Sequence, residues 1–225
     1  MDSFIVRGVV SNLVSALILI ACLFPAAGGW NYWQGWAFLV VFELCAQAFG
    51  VYFLITDRTV IERRARIGPT AEREPAQKII SALIVANFIA ALIVPALDHR
   101  FGWSPVAPGV SILGDGLVAL SFLIFFWVMK ANAYAASTIQ VEDGQPVISS
   151  GPYARVRHPM YAGALVLIFG MLLALGSLWG LLLLIPFLAL LVWRLLDEER
   201  FLRKNLPGYA EYMQRVRSRL VPGIF

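Results

Sequence analysis

Charge is what this sequence has least of. Only 14% of its 225 residues are Asp, Glu, Lys or Arg, against 60% apolar, and the mean hydropathy is +0.75. A soluble domain carries roughly a quarter charged residues, so an ordinary water-facing surface is excluded, and with it a soluble enzyme or a disordered chain. Cysteine is nearly absent. Cys22 and Cys45 both lie inside apolar runs, which excludes a disulfide scaffold. Histidine is as rare. His99 and His158 are far from each other and from both cysteines, so there is no metal-ligand spacing and no metal is expected. What the chain has in quantity is apolar sequence in long runs. The class this implies is an all-α, polytopic helical integral membrane protein.

Six such runs cover residues 8–27, 35–55, 79–97, 110–129, 161–175 and 177–196. The first four are about 20 residues each, enough at ~1.5 Å per residue to span a ~30 Å hydrocarbon core. The fifth is shorter and meets the sixth across Gly176-Ser177, so the two read as a tight helical hairpin, with Pro186 expected to kink the sixth. The first run begins like a secretory signal. More spans follow it, and Trp30, Trp33 and Trp36 sit where an interfacial belt would, so it reads as a helix of the mature protein.

Lysine and arginine are split unevenly between the two sets of loops. Of the 18, only Arg100 falls on one side; all others lie before the first run, between runs two and three, between four and five, or at and after the end of run six. Six spans with both termini cytoplasmic satisfy the positive-inside rule; in a bacterium this would be the inner membrane. The net charge of +4 follows from the same rule, so membrane lipid and not nucleic acid is the expected partner. The cytoplasmic side then carries the three substantial polar segments, 56–77, 131–160 and 197–225. A division into N-terminal helices (1–130) and a C-terminal functional core (131–225) follows.

Within that core, residues 140–163 read QVEDGQPVISSGPYARVRHPMYAG. Asp143-Gly144 and Gly151-Pro152 are turn signals, and Pro159 suits the first turn of a helix. The sixth run ends WRLLDEER, residues 193–200. Arg194 and Glu198 share a helical face, and Arg194 follows directly on apolar sequence, where an ionisable group is a functional candidate. Asp197, Glu198 and Glu199 at the end of a helix oppose its dipole, which a cationic ligand would offset. The tail from Leu206 to Pro222 reads LPGYAEYMQRVRSRLVP, a short amphipathic helix suited to an anionic lipid surface. Among polar residues inside the runs, Asn12, Gln47 and Asn87 suit interhelical hydrogen bonding; Glu43, near mid-membrane, calls for a cavity or a partner.

GPYARVRHPMYAG, a hydrophobic hairpin, DEERFL and then GYAEYMQRVRSRLVP together resemble the isoprenylcysteine carboxyl methyltransferase family and, more distantly, the phospholipid N-methyltransferases. The resemblance covers residues 140–222. It implies methyl transfer from S-adenosylmethionine to a lipidic substrate at a cytoplasmic pocket, with S-adenosylhomocysteine as product. Carried over residue by residue, it implies that Gln140, the run Gln145, Pro146, Val147 and Ile148, then Tyr153, His158, Pro159, Met160, Tyr161 and Glu198 hold the cofactor. It makes Arg194 the residue that orients the substrate. Gln145-Pro146 departs from the His-x or Gly-x more usual in the family.

The implied chemistry fits these residue types. Glu198 can hold an ammonium by a charge-assisted hydrogen bond, and Arg194 can hold a carboxylate in a fork. A substrate carboxylate is already ionised at neutral pH and needs no base. An amine substrate would need one, for which Glu43 and Glu199 are candidates. A prenylcysteine-like or isoprenoid acid, O-methylated, is the leading expectation; a phospholipid amine is the alternative. A third possibility is a nicotinamide-dependent reductase of the sterol-reductase type, whose Arg-His-Pro-Asn-Tyr run is similar.

Overall fold

The computed structural model describes residues 3–64, 68–72, 74–134, 138–139, 141 and 144–225. The described residues form helices and irregular connections, with no strand. In chain order the α-helices are α1 (Ser3–Ala27), α2 (Trp33–Thr56), α3 (Arg58–Arg64), α4 (Pro75–Phe101), α5 (Pro108–Ala131), α6 (Pro159–Ala174), α7 (Leu184–Asn205) and α8 (Tyr209–Arg215). The protein is a polytopic helical membrane protein. Among the described residues, five segments are long and apolar enough to cross a bilayer: 10–27, α2, α4, α5 and the stretch Trp179–Asn205 that includes α7. The fifth predicted run becomes α6. It has 16 residues and is ~24 Å long at 1.5 Å per residue, short of a ~30 Å core.

Helix ends sit where the local sequence stops or starts a helix. Gly28, with φ of 79°, closes α1; its N–H donates to the Pro25 carbonyl and that of Gly29 to Phe24, a left-handed C-terminal cap that only glycine adopts cheaply. Asp57 caps α3 by accepting from the Thr59 N–H at 3.1 Å and its hydroxyl at 2.6 Å. Pro75, Pro108 and Pro159 open α4, α5 and α6. Gly176, with φ of 71°, reverses the chain after α6. A 3-10 segment, Trp179–Leu183, follows. Pro186 therefore falls in the first turn of α7, where its missing N–H interrupts no helical bond, and the kink expected inside a continuous sixth helix does not arise.

The chain clusters into two compact units, each assembled from three stretches. One comprises Met1–Tyr52, Ala86–Phe122 and Val166–Pro186. Here Asp98, 1% exposed, accepts hydrogen bonds from the Ser104 N–H and hydroxyl and from the Ser177 hydroxyl. Tyr32 donates to the Leu175 carbonyl at 2.6 Å, and Asn87 to that of Leu183 at 3.3 Å. Trp30, Trp33 and Trp36 are exposed, as an interfacial belt requires. Helices α5 and α6 approach through glycines: a Cβ on Gly114 would stand 2.1 Å from the Ala174 backbone nitrogen, and one on Gly170 2.8 Å from the Leu117 side chain. Small residues permit such close packing between membrane helices.

The other unit comprises Phe53–Val85, Leu123–Leu165 and Phe187–Phe225. It contains the polar segments expected to carry function, together with the helix ends around them.

Gly114→Ala should separate α5 from α6 and cost about 1–3 kcal/mol by overpacking. Gly116→Ala, whose added Cβ meets nothing within 4 Å, should be neutral or slightly stabilising. Thermal unfolding of both variants in detergent measures the difference; equal melting temperatures would contradict the glycine contact.

Candidate functional site

The second unit builds its site where the entry to α6 meets the end of α7. Arg157 and His158 precede Pro159, the first residue of α6. Their N–H groups donate to the Ser218 and Arg219 carbonyls at 3.0 and 2.9 Å, so the tail runs beside the helix entry. A buried ion cluster fastens this arrangement. Glu199 Oε1 accepts from Arg157 Nε at 2.7 Å and lies 3.1 Å from His158 Nε2, while its Oε2 accepts from Arg219 Nε at 3.1 Å. Arg157 also donates from Nη1 to the Val216 and Arg217 carbonyls, both at 2.8 Å. Both oxygens of Glu199 are thus engaged, which removes it as a candidate base.

The three consecutive carboxylates do not sit at a helix terminus. Helix α7 runs on to Asn205 and ends with Arg203 and Lys204 in its last turn, the favourable sense for its dipole. The opposing-dipole expectation fails for that reason, and the carboxylates are offset by side-chain partners instead. Glu198 accepts from the Tyr161 hydroxyl at 2.5 Å, and its Oε2 lies 3.9 Å from His158 Nδ1. Asp197 accepts from Gln77.

Arg194, 7% exposed, stands one turn before Glu198. Its Nε donates to the Tyr161 hydroxyl at 3.2 Å, Nη1 to Gln77 Oε1 at 3.1 Å and to the Ser81 hydroxyl at 2.9 Å, and Nη2 to Glu72 Oε1 at 2.6 Å. Glu72, Gln77 and Ser81 are all buried. A chain of contacts therefore runs Glu72–Arg194–Tyr161–Glu198.

The tail is not spread out as an amphipathic surface helix. Leu206, Tyr209, Tyr212 and Val216 form a buried cluster against Leu202, Met213, Val141 and Val147. Tyr212 donates to the Tyr153 carbonyl at 2.8 Å. Gly208, with φ of 83°, turns the chain from α7 into α8.

These elements enclose a cavity that is partly open to solvent. Of the residues that the sequence proposed, Gln145, Pro146, Val147, Ile148, Tyr153, His158, Pro159, Met160, Tyr161 and Glu198 all line it. The run from Gln145 to Ile148 does so as irregular backbone. Arg194 lies behind the wall and touches the site through Tyr161. Gln140 lies outside the described residues. Asn132, Tyr134, Thr138, Ile139, Arg157, Leu202, Leu206, Tyr209 and Tyr212 also line the cavity and were not proposed. One signal was available: Glu198, Leu202 and Leu206 are spaced four apart, on one helical face.

Tyr209 is the odd member. Its hydroxyl is buried and has no hydrogen-bond partner, although a buried donor of this kind ordinarily finds one. Burial pushes its pKa up, and the charges of Glu198 and Glu199 act the same way, so it remains a donor through the physiological range.

Comparison with known proteins bears on this stretch. Residues 110–207 match the phospholipid methyltransferase family. The match covers somewhat under half of the chain: α5, the loop after it, α6, α7 and the turn toward α8. The match supports a membrane methyltransferase that acts on a lipid substrate. No match is found among curated protein sequences.

Glu199→Gln should uncouple the tail from the α6 entry. Removing one partner from a buried ion cluster costs about 3–5 kcal/mol, read as a lower melting temperature and faster proteolysis near residue 217. An unchanged melting temperature would show the cluster to be dispensable.

Proposed function

We propose that this methyltransferase uses S-adenosylmethionine to methylate the carboxyl group of a lipidic acid, prenylcysteine-like or isoprenoid. The reading rests most on one observation: the Arg-His-Pro-Met-Tyr run and Glu198 line a single cavity, with the Tyr161 hydroxyl 2.5 Å from the Glu198 carboxylate. Residues 131–225 then form the catalytic core, and the cavity opens to the cytoplasm with both termini on that side, as the lysine and arginine split favours.

The residues present suit the cofactor. Its ammonium needs an anionic acceptor, which Glu198 provides. Its carboxylate needs donors, and the Tyr209 hydroxyl is a buried donor without a partner. Its adenosine needs apolar walls and backbone groups, supplied by Val147, Ile148, Leu202 and Leu206, with Tyr153, Pro159 and Met160 alongside. When bound, S-adenosylmethionine supplies a methyl group on a cationic sulfur. The chain's own work is then alignment and exclusion of water, since displacement at such a centre depends chiefly on the placement of the reactants. Arg194 orients the substrate carboxylate from the far side of Tyr161, and the nucleophile needs no base because it is already ionised at neutral pH. The description of the matched family favours a phospholipid amine as the second reading, in which the methyl group goes to nitrogen.

Purified protein incubated with methyl-labelled cofactor and membrane extract should yield a lipid product that loses its label in base, as an ester does; a base-stable label would establish N-methylation. Glu198→Ala should weaken binding of S-adenosylhomocysteine by roughly 1.5–3 kcal/mol through loss of an ionic hydrogen bond, measured by calorimetry; unchanged affinity would remove Glu198 from the site. Tyr209→Phe should leave ligand-free stability equal or slightly higher, yet weaken the same binding by about 0.5–1.5 kcal/mol; unchanged affinity would make that hydroxyl a bystander.

A further inference from the structure

Tyr161 stands between two groups whose hydrogen-bonding sense is fixed. A guanidinium only donates, and Arg194 Nε reaches the Tyr161 oxygen at 3.2 Å. A carboxylate only accepts, and Glu198 Oε2 takes the Tyr161 proton at 2.5 Å. The hydroxyl is held from both sides, and its proton has one direction. The guanidinium that sets this direction is fastened from outside α7: Glu72 takes Nη2, and Gln77 and Ser81 take Nη1. Tyr161 and Glu198 line the cavity and Arg194 does not. Its effect on anything bound there passes through Tyr161, and no ligand needs to reach it.

The consequence falls on Glu198. Its hydrogen bond from Tyr161 and its approach to His158 Nδ1 at 3.9 Å both involve Oε2. Among the described residues, no hydrogen bond or ion pair involves its Oε1. The next residue differs: Glu199 has both oxygens engaged and a side chain 6% exposed, against 24% for Glu198. One oxygen of Glu198 is thus pinned and the other is left over, on a residue of the cavity wall.

We propose that Arg194 is a positioning residue for the cofactor site: by directing the Tyr161 hydroxyl it anchors one oxygen of Glu198 and keeps the other for an ammonium in the cavity. The inference rests on the S-adenosylmethionine reading above and holds whether oxygen or nitrogen is methylated. The rotational freedom of the carboxylate is given up on folding and not on binding, which strengthens binding without adding a contact. The gain belongs to the amino-acid end of the ligand, and its nucleoside does not share it.

The experiment compares binding of S-adenosylhomocysteine and of 5′-methylthioadenosine to the full chain by calorimetry. The second ligand keeps the nucleoside and the thioether but has neither ammonium nor carboxylate, so the ratio of affinities reads the amino-acid end alone. Tyr161→Phe keeps the ring in the wall and removes the hydroxyl; it should lower the ratio about three- to tenfold. Arg194→Lys keeps the charge and loses the Nε donor; it should lower the ratio in the same sense by less. The double variant should fall no further than Tyr161→Phe alone, because groups acting in series are not additive. Where the lysine variant does not fold, Ser81→Ala, which loosens the guanidinium and leaves its charge, takes its place. A ratio that is unchanged or raised in folded Tyr161→Phe protein, equal losses for both ligands, or additive losses in the double variant overturn the positioning role. Wild-type protein that binds neither ligand, or both equally, overturns the reading of Glu198 as the ammonium's acceptor, and the relay with it.

Discussion

A guanidinium buried at the end of an apolar span has to be neutralised where it stands. Moving a charge out of water costs several kcal/mol even after relaxation, and Arg194 is 7% exposed. The surrounding unit is arranged to meet that demand. Glu72 supplies the opposite charge, Gln77 and Ser81 take further donors, and Tyr161 takes Nε while donating its own proton to Glu198. Satisfying one charge thereby fixes the connection before α4, the first two turns of α4, the first turn of α6 and the middle of α7. The same residues place a carboxylate at the cavity wall.

A second buried cluster repeats the principle nearby. Glu199 gathers Arg157, His158 and Arg219, and in doing so draws the tail across the entry of α6. Once it is there, Leu206, Tyr209 and Tyr212 close the apolar side of the cavity. Neighbouring glutamates therefore divide the work. Glu199 is consumed by structure, while Glu198, with a side chain 24% exposed, faces the pocket and stays open to a cationic group.

The apolar runs were legible because a bilayer imposes a length and a hydropathy that few other settings require, and a helix was correctly expected at each. What periodicity could not reveal was how the hairpin is joined. A 3-10 segment and a helix have similar apolar composition, so Pro186 read as a kink when it is a helix start. The motif residues from Gln145 to Tyr161 and Glu198 were legible as a pattern, and they line one cavity. Glu72 was not legible: it lies in a polar connection with no motif, 122 positions from its partner, and pairing at that distance leaves no local trace. Tyr209 and Tyr212 were visible as an aromatic pair, but amphipathicity alone does not say whether the apolar face meets lipid or protein. Here it meets protein, because Gly208 turns α8 back onto Leu202 and Val147.

The central claim is that the connector before α6 and the end of α7 hold one nucleotide-bearing ligand between them. Hydrogen exchange of the purified protein, with and without S-adenosylhomocysteine, tests this most directly. The account predicts slowed exchange in peptides covering 145–162 and 198–213 together, with peptides from 10–52 unaffected. Slowing in only one of the two segments, or in neither, would contradict it.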